Sequence, residues 1–105
     1  MRNEKKLSAD QRLLRGALYF HSNNGLTYVV MKKGRKEVLN LPLTNIESIL
    51  PENMFCRVHR SYLVNSNAIS AIRYYRNQLL AFVEGHRIPV SRRQGKNLLD
   101  SLDTL

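Results

Sequence analysis

A single cysteine, Cys56, stands in 105 residues, and tryptophan is absent. An internal disulfide is therefore excluded as a source of stability. The three histidines, His21, His59 and His86, are scattered with no zinc-type spacing around them, so neither a metal nor any other cofactor is expected. Apolar runs are short. Residues 79–83 form one of the longest, far below the roughly 20 residues that a membrane-spanning helix requires. The chain opens with Met1, Arg2, Asn3, Glu4, Lys5 and Lys6, and no apolar stretch follows this charged start. No secretory signal is expected, and the cytoplasm is the expected compartment. Acid is scarce as well: neither aspartate nor glutamate occurs between Glu52 and Glu84. His59 and Ser61 thus have no third group nearby in sequence to orient them as base and nucleophile, and no enzyme is expected.

Positive charge is abundant. Seventeen Lys/Arg against eight Asp/Glu give a formal charge of +9, with a pI near 10.2. A field of that strength on so small a body favours a polyanion, with nucleic acid first, then acidic lipid or an acidic protein face. The charge is uneven. Residues 1–55 carry +4, residues 56–96 carry +7, and the last nine residues carry −2. The surplus in 56–96 comes from Arg57, Arg60, Arg73, Arg76, Arg87, Arg92, Arg93 and Lys96, all but one of them arginine. The planar guanidinium fork fits both phosphate and the O6/N7 edge of guanine.

The length allows one domain, and 43% apolar residues are enough for its core. From residue 17 the chain reads as short β-rich runs, over 17–21, 26–32, 36–41, 55–59, 62–65, 69–75, 78–83 and 86–90, which predicts a mainly β domain of antiparallel sheets. Asn24 with Gly25, Lys33 with Gly34, Arg76 with Asn77, and Glu84 with Gly85 mark turns. Three capping boxes predict small helices. Ser8 with Gln11 opens one over 9–15. Thr44 with Glu47 opens a second, with Ile46, Ile49 and Leu50 on its apolar side and a stop at Pro51. Ser91 with Gln94 opens a third, carrying Leu98, Leu99 and Leu102. Residues 1–16 form a basic N-terminal segment, and 17–105 the domain.

The third helix carries its charge the wrong way round. Arg92 and Arg93 fall in its first turn, where the partial positive charge of the helix start disfavours cations. Free backbone N–H groups and two guanidinium groups at one helix start suit a bound anion, and phosphate is the natural guest. Other singled-out residues read as structural. Tyr74 and Tyr75 are expected in core or cross-strand packing rather than as a stacking platform, and Cys56 as a buried small apolar residue. His59 is expected to hydrogen-bond near a turn, and Asn65 and Asn67 to form one.

The run Phe55, Arg57, Val58, His59, Arg60, Ser61, Tyr62, Leu63, Val64 and Asn65, followed by Ile69 and Ile72, leads through a hairpin to Ile88, Pro89, Val90, Ser91, Arg92 and Arg93. This pattern resembles the core signature of the LytTR DNA-binding domain family, the output domain of many bacterial response regulators. Leu18, Tyr19, Phe20, Ser22 and Tyr28, and the stretch from Leu43 to Pro51, resemble further parts of it, so the likeness covers roughly 17–102. It implies a LytTR-type fold of short stacked antiparallel sheets with small flanking helices, docking on DNA through loops. It implies that Asn23, Asn24 and Thr27 enter one major groove, that Arg60 lies near the centre of the interface, and that Arg92 and Arg93 enter the next groove. Lys32, Arg57, Ser61 and Lys96 are then phosphate-positioning candidates. The chain departs from the family pattern at His21, where an acid is common, and at Gln94, where an aromatic is common. The resemblance further implies binding of paired direct repeats by two copies. No receiver domain fits in this length, so the resemblance implies either an excised or reduced domain or a stand-alone regulator, with control by a histidine kinase system or a membrane-bound inhibitor.

Two other readings of the basic composition stay open at this level. One is an RNA-binding or ribosome-associated basic β-module, and the other a protein-interaction module with an acidic partner.

Overall fold

The computed structural model describes residues 16–103. The helix expected over 9–15 lies outside them. Eight strands follow one another: β1 (Ala17–Asn23), β2 (Leu26–Met31), β3 (Lys36–Leu39), β4 (Phe55–His59), β5 (Tyr62–Asn65), β6 (Ala71–Tyr75), β7 (Gln78–Val83) and β8 (His86–Val90). Helix α1 (Leu43–Ile49) lies between β3 and β4, and α2 (Arg92–Asp103) follows β8. Single 3-10 turns cover Lys32–Gly34 and Ser66–Ala68.

The strands form two antiparallel sheets, one of five strands in the order β3-β2-β1-β5-β4 and one of three in the order β6-β7-β8. The larger sheet is covered on both faces. Phe20, Val29, Phe55 and Leu63 pack against Leu43, Ile46 and Leu50 of the α1 segment. Leu18, Val30, Val58 and Val64 pack against Leu79, Ala81 and Val83 of β7, Ile88 and Val90 of β8, and Leu98 of α2. Successive strand residues point to opposite faces, which is why the adjacent pairs Val29/Val30 and Leu63/Val64 are apolar at both positions. Each member enters a different core.

Tight turns close three hairpins with the residues they require. Asn24 and Gly25 have φ of 53° and 80°, Arg76 and Asn77 of 51° and 67°, and Glu84 and Gly85 of 45° and 86°. Two successive residues of positive φ match the right-handed twist of the flanking strands. Asn65 turns the chain after β5. Its Oδ1 accepts from the Asn67 N–H at 3.0 Å and its Nδ2 donates to the Ala17 carbonyl at 3.2 Å.

Some local expectations are corrected. Helix α1 starts two residues earlier than its proposed capping box would set it, with Pro42 rather than Thr44 as its N-cap. The Pro42 carbonyl accepts from the Asn45 and Ile46 N–H groups. The buried residues of this segment are Leu43, Ile46 and Leu50, and Ile49 lies outside, 45% exposed. Tyr74 and Tyr75 are not core residues. On β6, an edge strand of the smaller sheet, they are 74% and 57% exposed, and the Arg76 guanidinium lies 5.4 Å from the Tyr75 ring centroid. Cys56 is half-buried, and burial, aided by Glu47, pushes its thiol pKa up.

Candidate nucleic-acid interface

Antiparallel pairing of β1 with β5 places the Asn24-Gly25 tip and the β4–β5 tip at one end of the larger sheet. His21 pairs with Tyr62, and the Ser22 N–H donates to the Ser61 carbonyl at 2.9 Å. The His21 ring stacks on the Tyr62 ring, with centroids 4.5 Å apart and planes inclined by 10°. The His59 ring meets Tyr62 edge-on at 5.7 Å. Asn23 and Asn24 stand exposed at this end.

The β4–β5 tip is built unlike the other four hairpin connections, which all carry two successive residues of positive φ. It consists of Arg60 and Ser61, neither with positive φ, and flanking side chains hold its backbone instead. His59 Nδ1 accepts from the Ser61 N–H at 3.0 Å. Arg57 Nε donates to the His59 carbonyl at 3.0 Å, and Arg57 Nη2 donates to the Arg60 carbonyl. The third arm of the guanidinium, Nη1, meets Glu47 Oε1 of α1 at 2.6 Å. The result is a rigid tip from which the Arg60 side chain projects into solvent.

Helix α2 is fixed beside this tip. The Ser91 N–H donates to the Val58 carbonyl at 2.8 Å, tying the end of β8 to β4. Ser91 Oγ caps the helix by accepting from the Gln94 N–H at 3.2 Å. No acid occupies the first turn of α2. Its partial positive end and Arg93 therefore act together on an anion. Arg60 and Arg93, from separate elements, line one open cleft of about 520 Å³ with Glu47, Arg57, His59, Ser91 and Gln94. Glu47, the lone acid of that lining, is paired with Arg57, so the cleft keeps the unbalanced charge of the two arginines. The same surroundings act on the histidines. Burial, then Arg60, then Arg57 lower the His59 pKa. Burial, then Lys36, then His59 lower that of His21.

The expected contact residues do not all come together. Asn23, Asn24, Arg60, Ser61 and Arg93 share one end of the molecule. Thr27 is corrected: it is 1% exposed, and its hydroxyl donates to the Leu41 carbonyl at 2.6 Å, so it cannot reach a base. Its role is to tie the chain after β3 to β2. Arg57 is turned inward: each nitrogen of its guanidinium donates within the protein, and two of the three bonds hold the backbone of the tip that carries Arg60. Lys32 lies in the turn at the opposite end of β2 from Asn24, about 20 Å away at the usual rise per residue. Arg92 parts from its neighbour Arg93. It lines a second cleft of about 480 Å³ with Lys96, one helical turn on, and with Tyr74, Asn77 and Leu99.

Sequence reasoning missed the part Glu47 plays. Nothing in its spacing from Arg57 announces the ion pair, because the contact depends on how α1 docks on the sheet. Gln94 was read as half of a capping box and as a departure from the family pattern, not as a contact residue, yet it lines the arginine cleft.

Comparison with known proteins identifies the family and the fold. A model of the LytTr DNA-binding domain family matches residues 13–103. A solved LytTr DNA-binding domain from Bacillus cereus superposes with a TM-score of 0.76 at 28% identity, covering 85% of this chain and 83% of that one. The sensory transduction protein LytT of Bacillus subtilis is 43% identical over 58 residues, 53% of this chain. LytT of Bacillus cereus is 41% identical over a stretch of the same length. The match spans 24% of the length of these curated relatives.

Proposed function

This chain belongs to the LytTr DNA-binding domain family, whose activity is DNA binding in transcription regulation, and from that premise we propose how it reads its site. Arg60 and Arg93 contact base edges in major grooves of double-stranded DNA, and the Asn23–Asn24 tip enters the groove beside Arg60. Ser61, Arg92 and Lys96 hold backbone phosphates. No chemistry is performed. The observation that carries this reading is the convergence of Arg60 and Arg93 on one open cleft whose only acid is already paired. Arginine bidentate to guanine O6/N7 is the commonest specific contact in major grooves. Two copies bind direct repeats one or two helical turns apart, so that both lie on one face of the duplex. The protein works in the cytoplasm, under a histidine kinase system or a membrane-bound inhibitor.

The test is competition at physiological salt between duplex DNA, single-stranded DNA and RNA, followed by selection of bound duplexes from a random pool. Duplex preference and a defined operator are expected. If about six phosphates are neutralised, affinity falls by roughly 10³ between 50 and 200 mM salt. Tight binding to RNA alone would overturn the proposal.

A further inference from the structure

Besides its two exposed arginines, the cleft holds one uncharged polar side chain without an internal task. Glu47 and Arg57 neutralise each other there. Ser91 Oγ is committed to the Gln94 N–H, and His59 Nδ1 to the Ser61 N–H. Arg60 and Arg93 are the exposed cations. Gln94 remains. In a capping box its side chain would reach back to the N–H of the capping serine, but that donor, Ser91 N–H, is taken by the Val58 carbonyl at 2.8 Å. The box is half closed. Among the described residues no hydrogen bond involves the side-chain amide of Gln94, a half-exposed residue that lines the cleft from α2, next in sequence to Arg93.

We infer that Gln94 is a specificity-determining residue that reads an adenine. Its amide presents a donor and an acceptor side by side, the pattern that pairs bidentately with adenine N7 and N6 in the major groove. Arginine cannot do this, because it offers donors only. A cleft with two arginines and one free amide therefore discriminates A·T from G·C at one position in the groove where the arginines select guanine. The tie from Ser91 to Val58 does double duty: it docks the helix start on β4 and releases the Gln94 side chain from its capping task. The inference rests on the DNA-reading proposal above and adds to it a residue and a base.

The experiment is selection of duplexes from a random pool by the intact chain and by its Gln94→Ala and Gln94→Glu variants. Wild type is expected to select an operator with a fixed A·T pair. Gln94→Ala should lose that single preference, by about 5- to 150-fold in relative affinity, with the other positions unchanged. Gln94→Glu, an acceptor-only side chain, should shift the same position toward cytosine, whose N4 amino group donates. Replacing that adenine by 7-deazaadenine should weaken wild type but not Gln94→Ala. Two results overturn the inference: identical operators from wild type and Gln94→Ala, or a uniform loss over all sequences, which marks a phosphate contact. If wild type selects no duplex sequence at all, the DNA-reading proposal itself fails, an outcome distinct from the first two.

Discussion

Replacing Arg57 by alanine should weaken DNA binding without removing a DNA contact. The substitution deletes the bonds to the His59 and Arg60 carbonyls and the ion pair with Glu47. Hydrogen bonds from a charged group contribute about 1.5–3 kcal/mol each, and an ion pair to a half-exposed carboxylate about 0–1 kcal/mol. The tip borders solvent, so water takes over both carbonyls and offsets much of the loss. A net destabilisation of about 1–2.5 kcal/mol is expected, which lowers the melting temperature of a domain this size by roughly 5–15 °C. The Arg60 backbone is then no longer held, and affinity for the operator falls. The deciding measurement is the salt dependence. A lost phosphate contact makes the slope of log K against log salt shallower by about 0.9, whereas a disordered tip lowers affinity at every salt concentration with the slope unchanged. An Arg57→Ala protein with wild-type melting temperature and a slope shallower by about 0.9 would refute the positioning role. Glu47→Gln leaves both carbonyl bonds in place and should lose far less.

Arg60→Ala and Arg93→Ala should each reduce specific binding by about 1–3 kcal/mol in a titration against the selected operator, with thermal unfolding unchanged. Because the two share a cleft, the double variant should deviate from additivity, as groups with shared partners do. Thr27→Val should leave the selected operator unaltered and destabilise the fold by about 1–3 kcal/mol in denaturant titration, since the Leu41 carbonyl loses its buried donor; an altered operator would return Thr27 to the interface. Acid should destabilise the protein through His21 and His59. Both have folded pKa values lowered by burial first, so the unfolded chain binds protons more readily. Their contribution is complete above the unfolded value of about 6.5 and is lost as pH falls through the folded values. Melting scans should show a declining midpoint below about pH 6.5, less steep in His59→Gln, and a midpoint that rises on acidification would contradict the assignment.

The strands were legible because their chemistry is local. Alternating or paired apolar residues and the Asn24-Gly25, Arg76-Asn77 and Glu84-Gly85 turns mark them without reference to the rest of the chain. The Arg60–Ser61 tip was legible only as a motif. It has no turn-forming glycine or asparagine, and its conformation comes from the His59 and Arg57 side chains. Misreadings arose where a contact at long range outranked a local pattern. Thr27 adjoins an exposed asparagine tip in sequence, yet the chain leaving β3 covers it. Gln94 satisfies the capping-box spacing, yet Val58, 33 positions before Ser91, takes the donor it would need. Tyr74 and Tyr75 fit a strand, but whether a strand lies at the edge of its sheet is a property of topology that sequence spacing does not carry.

The backbone tie between Ser91 and Val58 sets how freely the recognised DNA can diversify. It involves only main-chain atoms, so substitutions at Arg60, Arg93 or Gln94 leave it standing. The letters of an operator can therefore drift through side-chain exchange while the interval between them stays fixed by the fold. Changing that interval would require moving one sheet against the other through the packed core between them, a much rarer step than exchanging one letter.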